Sequence, residues 1–204
     1  MTKETFEKCS ALVGKYESRQ RARHSFGVYE EACRVCDMMK ITGKERDDIA
    51  TAAILHDIAH DLPTGDQLEI MDREKIPYGD IVNYPTVIHA RAGAALAKRE
   101  FPGLSDESRS MIECHTTGRK GMTVGEKIVC LCDFTEPGRE YAGCRAVREY
   151  FYSKAEKITG TEQYVKLIDS SLKMAFGMTL GHLKKKGYPI HPVTAEVYDD
   201  LCSE

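Results

Sequence analysis

The 204-residue chain has no long apolar run, and this absence excludes a first class of function. Its longest uninterrupted apolar stretch, residues 128–132, spans only five positions, whereas a membrane-spanning helix needs about 20. The first residues include Glu4 and Glu7 and contain no apolar segment of the kind that a secretory signal peptide carries. We therefore expect a cytoplasmic protein without a membrane partner.

The chain also lacks an excess of charge of one sign. Its 29 Lys and Arg residues and 32 Asp and Glu residues give a formal net charge of −3, and these charges are spread along the chain. Proteins that bind nucleic acid usually present a basic domain or a basic stripe. The charge pattern thus predicts that no nucleic-acid polymer is a partner.

The cysteines lack the spacing of a disulfide framework or a zinc site. Eight are present, most of them inside apolar stretches of helical pattern, and only Cys33 and Cys36 are spaced as a metal or redox pair. A zinc site needs a second pair of ligands and a redox motif needs a βαβ context, and the sequence offers neither. We interpret the cysteines as reduced thiols packed in the core.

Strand patterns are scarce, because alternating β-branched residues joined by two-residue glycine turns are almost absent. Apolar residues instead recur at helical spacing, as at Val28, Ala32 and Val35. No repeat, low-complexity tract or interdomain linker is visible. The sequence therefore predicts one all-α domain over residues 1–204, with its core at about residues 20–190.

Breaks in the apolar pattern set the predicted helix boundaries. A helix that follows residues 42–44 is expected to stop at residues 61–63, where a proline lies. An alanine-rich helix is expected over residues 89–100, after Pro85. A long amphipathic helix is predicted over residues 162–186, followed by a short helix at the carboxyl end.

Histidine and aspartate residues fall on the inner half or at the end of several predicted helices. Asp57 and Asp133 both follow apolar runs, where an ionised carboxylate is costly to bury unless it is paired or bound to a metal. Imidazole and carboxylate groups without a matching cysteine set favour iron or manganese over a structural zinc. The candidate ligands are His24, His56, Asp57, His89, His115 and Asp133.

Each of these residues also has an ordinary structural explanation. A single buried histidine is more often a hydrogen-bonded core residue than a ligand. Asp133 has the alternatives of pairing with Arg139 or capping a helix, and Asp57 that of a salt bridge to Arg23. The metal-site hypothesis rests on the joint pattern, because one helical core seldom needs so many unrelated buried polar groups.

Several short motifs occur in a fixed order around these residues. They are Arg23-His-Ser-Phe-Gly-Val28, Leu55-His-Asp-Ile-Ala59, His89-Ala-Arg-Ala-Gly93, His115-Thr-Thr-Gly-Arg119 and Asp133-Phe-Thr-Glu-Pro-Gly-Arg139. The ordered set resembles the HD superfamily of metal-dependent phosphohydrolases, and more narrowly the YqeK family of bacterial HD-domain enzymes. The resemblance implies a hydrolase that cleaves diadenosine tetraphosphate symmetrically and releases two molecules of ADP.

The resemblance further implies a helical bundle with a dinuclear metal centre in its core, iron being the expected metal and manganese the alternative. The implied ligands are His24, His56, Asp57 and Asp133 for one metal and His89 and His115 for the other, with Asp57 as a bridge. Two cations would hold the phosphate oxygens and lower the pKa of a bound water. An anionic bridge would screen the repulsion between them.

The loop at residues 116–121 combines glycine flexibility with two cations beside a candidate metal ligand. Arg119 and Arg139 are the candidates for binding the polyphosphate, because a guanidinium group contacts phosphate oxygens in bidentate fashion. Gly118 and Arg148 are further candidates for the nucleotide site. The acidic neighbours of Arg148 leave a structural ion pair as its alternative role.

His60 departs from the family pattern, which commonly has lysine at this position. On a continuous helix His60 would share a face with His56, four residues earlier. We predict that His60 either replaces the lysine cation or donates a proton, and in both cases activity falls as the pH rises above neutrality. The alternative is a hydrogen-bonding role toward Asp57 or Asp61.

The ligand set alone leaves other functions open. HD proteins also include nucleotidases that act on deoxynucleoside phosphates, and a related di-iron family oxidises inositol. A non-catalytic nucleotide-binding HD protein is a further alternative, which six filled ligand positions argue against. The oligomeric state is open as well, although related proteins indicate a homodimer.

Overall fold

The computed structural model describes residues 1–203 and contains no strand in that range. Its helices are α1 (Lys3–Tyr16), α2 (Arg19–Met39), α3 (Gly43–Leu55), α4 (Thr64–Arg73), α5 (Pro85–Glu100), α6 (Asp106–Cys114), α7 (Val124–Thr135), α8 (Ala142–Ala155), α9 (Thr161–Lys186) and α10 (Pro192–Ser203). A 3-10 helix, Ile81–Asn83, precedes α5. This confirms the prediction of an all-α fold. Within residues 1–203, no helix is both long and apolar enough to cross a membrane.

Side-chain caps fix the start of the two helices that carry His24 and Asp133. The Ser18 hydroxyl accepts a hydrogen bond at 3.3 Å from an amide in the first turn of α2. Before α7, the Thr123 hydroxyl accepts from the Glu126 amide at 3.3 Å, and the Glu126 carboxylate accepts from the Thr123 amide at 2.8 Å. These bonds satisfy amides that no carbonyl of the helix can reach.

The helix that leads into the candidate site ends earlier than its apolar pattern predicts. α3 stops at Leu55, and tight turns follow it, in one of which the His60 amide donates to the Asp57 carbonyl at 2.8 Å. Bonds that span three residues wind the backbone more tightly than an α-helix does. The prediction that this helix extends to residues 61–63, with His60 one helical turn beyond His56, is therefore wrong.

The alanine-rich helix also differs from its predicted bounds. α5 begins at Pro85, four residues before the predicted start at His89. Proline suits the first position of a helix because the amide hydrogen that it lacks has no partner there. As a result His89 lies in the second turn of α5, within the rigid part of the helix.

The core surrounds α3 and α5, whose apolar residues face all sides. Every residue of α3 from Ile49 to Leu55 is buried, and α5 buries Ile88 and Leu96 among its alanines. A helix that is apolar all round is a buried helix. α2 packs against α3, α6 packs against α5, and α7 contacts both α2 and α3. This packing brings the ends of five helices to one place in the core.

The cysteines contribute to this packing. All eight are free, and six of them are buried. Burial raises the pKa of the Cys9 thiol to about 11 and that of Cys36 to about 12. Cys9 and Cys36 are therefore protonated near neutrality. The six buried cysteines serve as small core side chains, as the sequence predicted, whereas Cys33 is half-buried and Cys202 is exposed.

The carboxyl group of Glu17, at the junction of α1 and α2, is buried with only one partner. Its Oε2 atom accepts a hydrogen bond from Ser25 at 2.8 Å, and Oε1 has no partner within residues 1–203. Burial raises the pKa of Glu17 from 4.5 to about 7. The folded protein therefore favours protonated Glu17, and the stability contributed by this group is lost as the pH rises from about 4.5 through 7.

Replacing Glu17 with glutamine should thus stabilise the protein more at high pH than at low pH. Because the uncharged amide removes the cost of ionisation, we expect the gain in unfolding free energy to be about 2 kcal/mol larger at pH 8 than at pH 5. Urea unfolding of both proteins at the two pH values measures it. Glu30→Gln, at an exposed position of α2, is the control, and an equal gain at both pH values would contradict the prediction.

Candidate metal centre

Six buried or half-buried side chains converge where α2, α3, α5, α6 and α7 meet. They are the six predicted ligands His24, His56, Asp57, His89, His115 and Asp133, and none of their side chains is more than 18% exposed. His56 and His115 are the residues that directly follow α3 and α6. The structure thus brings all six candidates together, while metal binding by them stays a prediction.

The first half of the cluster joins α2, α3 and α7. The Nε2 atoms of His24 and His56 lie 3.3 Å apart. Asp57 Oδ2 lies 3.3 Å from His56 Nε2 and 3.7 Å from His24 Nε2. Asp133 Oδ1 completes this half at 2.9 Å from His24 Nε2 and 3.7 Å from His56 Nε2.

The second half lies on the other carboxylate oxygen of Asp57. Asp57 Oδ1 is 3.2 Å from His89 Nε2 and 3.5 Å from His115 Nε2, and these two nitrogens are 3.3 Å apart. One carboxylate therefore faces two groups of donors, one through each oxygen. This is the arrangement that a bridging ligand between two cations requires.

Backbone carbonyls orient two of the imidazole rings. The Nδ1 atom of His56 donates to the carbonyl of Ala53 at 2.8 Å, and that of His115 donates to the carbonyl of Ile112 at 2.8 Å. A carbonyl oxygen only accepts, so each Nδ1 carries a proton. When neutral, both rings present the lone pair of Nε2 to the cluster, which is the tautomer that a metal ligand needs.

These lone pairs provide a test of whether the residues fit a metal. In the pairs His24–His56 and His89–His115 the Nε2 atoms face each other at 3.3 Å, so one proton, or a cation, must lie between the two nitrogens. A cation bound by both nitrogens of a pair takes the place of that proton. Imidazole and carboxylate donors without thiolate suit divalent iron, manganese or zinc. The donor set fits two divalent cations with Asp57 between them.

Glu136, which the sequence reasoning missed as a site residue, holds the ring of His24. Its Oε1 atom lies 3.1 Å from His24 Nδ1, so the ring donates there and turns Nε2 toward the cluster. A glycine makes this contact possible, because a Cβ atom at Gly27 would lie 2.6 Å from Glu136 Oε2. The available signal was an acidic residue three positions after Asp133, at the end of an apolar helix.

The charges of the cluster strongly shift the pKa values of its members. Burial lowers the pKa of His56, but the charges of Asp57 and Asp133 outweigh it and raise that pKa to about 10. Burial also raises the pKa of Asp57, but His56 and the other imidazoles reverse this and hold it well below its usual range. Burial lowers the pKa of His89 to about 4. At pH 7 the metal-free cluster therefore carries its proton on His56 and not on His89.

Binding of a divalent cation should therefore release a proton. Because a ligand nitrogen must be deprotonated, a cation bound by His56 displaces the proton that this ring holds below pH 10. We expect release of about one proton from His56 at pH 7, and apparent affinity that rises with pH over the range below the His56 pKa. Calorimetric titration of metal-free protein with Mn²⁺, in buffers of different ionisation enthalpy, measures the release. An unchanged heat across buffers would contradict the prediction.

Arg21 is a second site residue that the sequence reasoning missed. Its Nη1 atom donates to Asp57 Oδ2 at 2.7 Å, and Nη2 lies 3.1 Å from His60 Nε2. The predicted alternative partner of Asp57, Arg23, is exposed instead. Arg21 and His24 lie three residues apart, so they share the inner face of α2, whereas Arg23 points away from it.

His60 lies beside the cluster although the helix ends before it. Its ring centroid is 4.7 Å from that of His89, and its Nδ1 atom is 3.2 Å from Asp61 Oδ1. With Arg21 on its other nitrogen, His60 connects an arginine to an acidic residue at the edge of the site. The predicted hydrogen-bonding alternative toward Asp61 is present in the structure.

Arg139 is the arginine that the structure places at the cluster. Its Nη2 atom forms an ion pair with Asp133 Oδ1 and lies 3.4 Å from His24 Nε2. The charge of Asp133 raises the pKa of Arg139, so the guanidinium is permanently charged. Its buried Nε–H has no partner in the described chain. Arg139 thus carries an unused donor on the same guanidinium group whose Nη2 atom contacts the candidate ligands.

Arg148, in contrast, donates its hydrogen bonds to backbone carbonyls. It donates to the carbonyls of Thr135 and Glu136 at 2.6 Å each and to that of Arg139 at 2.8 Å. These bonds fix the segment that carries Glu136 and Arg139. The structure supports neither the predicted nucleotide contact nor an ion pair with an acidic neighbour. Arg148 therefore positions these site residues through the backbone.

Arg119 and Gly118 are not brought to the cluster. Arg119 forms a two-point ion pair with buried Glu126, with Nε–Oε1 and Nη2–Oε2 distances of 2.8 Å. Gly118 has a φ of +65° and packs closely, since a Cβ atom there would lie 3.1 Å from Val197 and 3.2 Å from Phe176. The predicted phosphate role of this pair lacks support, because charge compensation and a left-handed turn account for both residues.

Two cavities meet at Arg139. The inner pocket, about 250 Å³ in volume, lies among α5, α7, α9 and the start of α10 and reaches His115 and Asp133. The outer groove, about 810 Å³ in volume, reaches His24 and is lined by Arg21, Arg23, Glu136 and Tyr141. Arg139 lines both cavities, so the cluster lies between the inner pocket and a wider groove whose lining includes three arginines and three acidic residues.

The chain was compared with known proteins. A model of the HD domain matches residues 21–174. A Bacillus subtilis protein is 31% identical over 197 residues and a Halalkalibacterium halodurans protein is 33% identical over 199, and each match covers 97% of both chains. Both are named "Bis(5'-nucleosyl)-tetraphosphatase, symmetrical", as is a Staphylococcus aureus protein that is 29% identical over 150 residues, 72% of this chain and 75% of its own.

A crystal structure from Clostridium acetobutylicum has the same fold. It superposes with a TM-score of 0.82 at 30% sequence identity and covers 97% of both chains, and it is described as a "predicted HD superfamily hydrolase involved in NAD metabolism". The family model spans most of this chain, including the whole cluster from His24 to Asp133. The resemblance inferred from the motifs is thereby confirmed, and the chain belongs to the HD domain family.

Proposed function

We propose that this protein is a metal-dependent hydrolase that cleaves diadenosine tetraphosphate symmetrically into two molecules of ADP. The observation that carries the proposal is the two-sided cluster around Asp57, which borders two cavities joined at Arg139. A symmetrical dinucleotide has two nucleosides and a phosphate chain between them. Two cavities on either side of one centre provide room for such a molecule, and the names of three relatives support this substrate class.

The proposed ligands are His24, His56, Asp57, His89, His115 and Asp133. When two divalent cations are bound, they supply Lewis acidity to the phosphate oxygens and activate the attacking water. The cation is proposed to be iron, with manganese as the alternative that the same donors accommodate. Asp57 contributes one carboxylate oxygen to each of the two groups of donors, and Glu136 keeps His24 in the required tautomer.

Arg139 and Arg21 supply the fixed positive charges in this proposal. Arg139 contacts the phosphate chain through its unused Nε–H, because a guanidinium group binds phosphate oxygens at two points. Arg21 supplies, next to His60, the cation that lysine provides in the family pattern. His60 then acts in catalysis as a hydrogen-bonding partner that positions Arg21.

In the proposed reaction, the water oxygen bonds to an inner phosphorus, and the central phosphorus–oxygen bridge breaks. The electron pair of that bond leaves with the departing ADP. Both protons of the water pass to solvent, one as the water is activated and one from the new hydroxyl group on the attacked phosphorus, which completes the second ADP. Because the leaving group is a phosphate of low pKa, the reaction needs no strong general acid.

The test is hydrolysis of diadenosine tetraphosphate in ¹⁸O-water by protein purified without oxygen, with the metal content measured first. We expect two ADP per substrate, one of them carrying a single ¹⁸O atom, and loss of activity on chelation that Fe²⁺ or Mn²⁺ restores. Formation of ATP and AMP would contradict symmetrical cleavage. Turnover of nucleoside monophosphates alone would replace the proposal by the nucleotidase alternative. Cleavage of NAD in preference to the tetraphosphate would contradict the substrate class.

A further inference from the structure

His191, just before α10, is a buried histidine that the proposed reaction does not use. Only 8% of the surface of this residue is exposed to solvent. Neither Nδ1 nor Nε2 has a hydrogen-bond partner within residues 1–203. By contrast, every histidine of the cluster bonds to another side chain or to a carbonyl. Because an unpaired buried polar group costs free energy, its presence indicates a partner supplied from outside the chain.

The inner pocket connects His191 with the metal centre. His115, Asp133 and Arg139 line the pocket together with His191. The Tyr84 ring packs edge-on against His191 with the centroids 4.8 Å apart. Both ring nitrogens of His191 are covered in this arrangement, so a ligand reaches them after a small rotation of one of the two rings.

The walls of the inner pocket between His191 and the cluster are mostly apolar. Val87 of α5, Leu172 and Phe176 of α9 and Phe134 of α7 line the pocket. Apolar and aromatic walls with few polar groups are typical of sites that hold a flat heteroaromatic ring. Away from Arg139, a phosphate group would lose its hydration in such surroundings without gaining a charged partner, so this part of the pocket suits a nucleobase better.

The electrostatics of His191 favour an uncharged ligand as well. Burial lowers the pKa of His191, a shift that Asp80 and Glu196 oppose and Arg91 supports. The ring is therefore neutral near pH 7 and offers one nitrogen as donor and one as acceptor. Either nitrogen matches a group on the edge of adenine, which carries the N7 acceptor and the N6 amino donor.

We propose that the inner pocket binds one purine base of the nucleotide substrate and that His191 selects this base through a hydrogen bond. The inference rests on the proposed function, since it assigns one end of the dinucleotide to this pocket. The phosphate chain then passes Arg139 at the cluster, and the second nucleoside occupies the outer groove. His191 is thus a specificity residue and not a catalytic one.

The test compares His191→Phe, which keeps a ring but removes both nitrogens, with His191→Asn, which keeps a donor and an acceptor. The readouts are kcat/KM for diadenosine and for diuridine tetraphosphate, and calorimetric binding of ADP and UDP to the metal-free protein. We expect the preference for adenine over uracil to fall about tenfold in the phenylalanine variant, the loss of one good hydrogen bond. The asparagine variant should recover part of the preference for adenine. His182→Phe, the same change at an exposed position of α9, should change neither readout.

The outcomes separate this inference from the proposed function. If the wild-type protein cleaves the tetraphosphate and His191→Phe keeps the same preference for adenine, the role of His191 is overturned and the proposed function is not. Absence of tetraphosphate cleavage by the wild type would overturn the proposed function, and the ADP and UDP binding of the metal-free protein would still test the pocket. Equal loss of both substrates in His191→Phe and His191→Asn would mean that His191 supports the fold, and it too would overturn the inference.

Discussion

Replacing Asp57 with asparagine is expected to reduce hydrolysis by about a thousandfold or more and to remove at least one of two bound metals. Asp57 is the one side chain that faces both halves of the cluster, through Oδ2 and Oδ1 respectively. Asparagine keeps the shape but has a single oxygen and no charge. The two imidazole pairs would then lack the anion that balances two divalent cations. Metal analysis and the rate of ADP formation, measured on the same sample, test this.

The control for this experiment is Asp66→Asn, the same change at an exposed position of α4. It should keep the wild-type metal content and rate. Thermal unfolding of the metal-free proteins shows whether the variant is folded, because Asp57 also pairs with Arg21. An Asp57→Asn protein that is folded, retains two metals and remains active would contradict the assignment of the bridge.

The sequence predicts the helices well where a local signal ends them. The predicted helix over residues 162–186 corresponds to α9, which ends where Gly187 adopts a φ of +69°, a conformation that favours glycine. The end of α3 carries no such signal. Apolar residues recur beyond Leu55, at Ile58 and Ala59, and the turn that follows α3 places Asp57 at contacts with distant helices. Packing overrides the local pattern there, so the boundary is not readable from the sequence.

A similar distinction separates the predicted ligands from the residues around them. Asp57 and Asp133 were identifiable because each follows an apolar run, where an unpaired carboxylate is costly. Arg21 and Glu136 gave no comparable signal. Their partners lie 36 and 112 residues away in the sequence, and only the packing of α2 against α3 and α7 brings them into contact.

The arginines show why the phosphate site was only half predictable. Arg119 and Arg139 both follow a glycine, and both were candidates for the same role. The structure distinguishes them by the acid that each one meets. Glu126 is buried in the core beside Ser110 and Arg119, whereas Asp133 belongs to the cluster. No local feature of the two segments reveals this difference.

Replacing Arg139 with alanine is expected to lower kcat/KM for diadenosine tetraphosphate by about 100-fold. Arg139 lies between the inner pocket and the outer groove, and it offers the Nε–H that no residue of the described chain uses. Lysine at this position keeps the charge but cannot bind two phosphate oxygens in a plane. Arg139→Lys should therefore recover only about tenfold of the loss. Steady-state kinetics of both variants measure these values.

Arg145→Ala, which removes an exposed arginine of α8 whose side chain donates to a backbone carbonyl, should leave the rate unchanged. Because Arg139 also neutralises Asp133, its loss leaves this carboxylate with only the imidazoles of His24 and His56 as partners in the metal-free protein. Bound cations replace that compensation, so Arg139→Ala should be less stable than wild type without metal and close to it with metal. Full recovery of activity by lysine, or equal losses in the Arg139 and Arg145 variants, would show that Arg139 acts through charge alone or not at all.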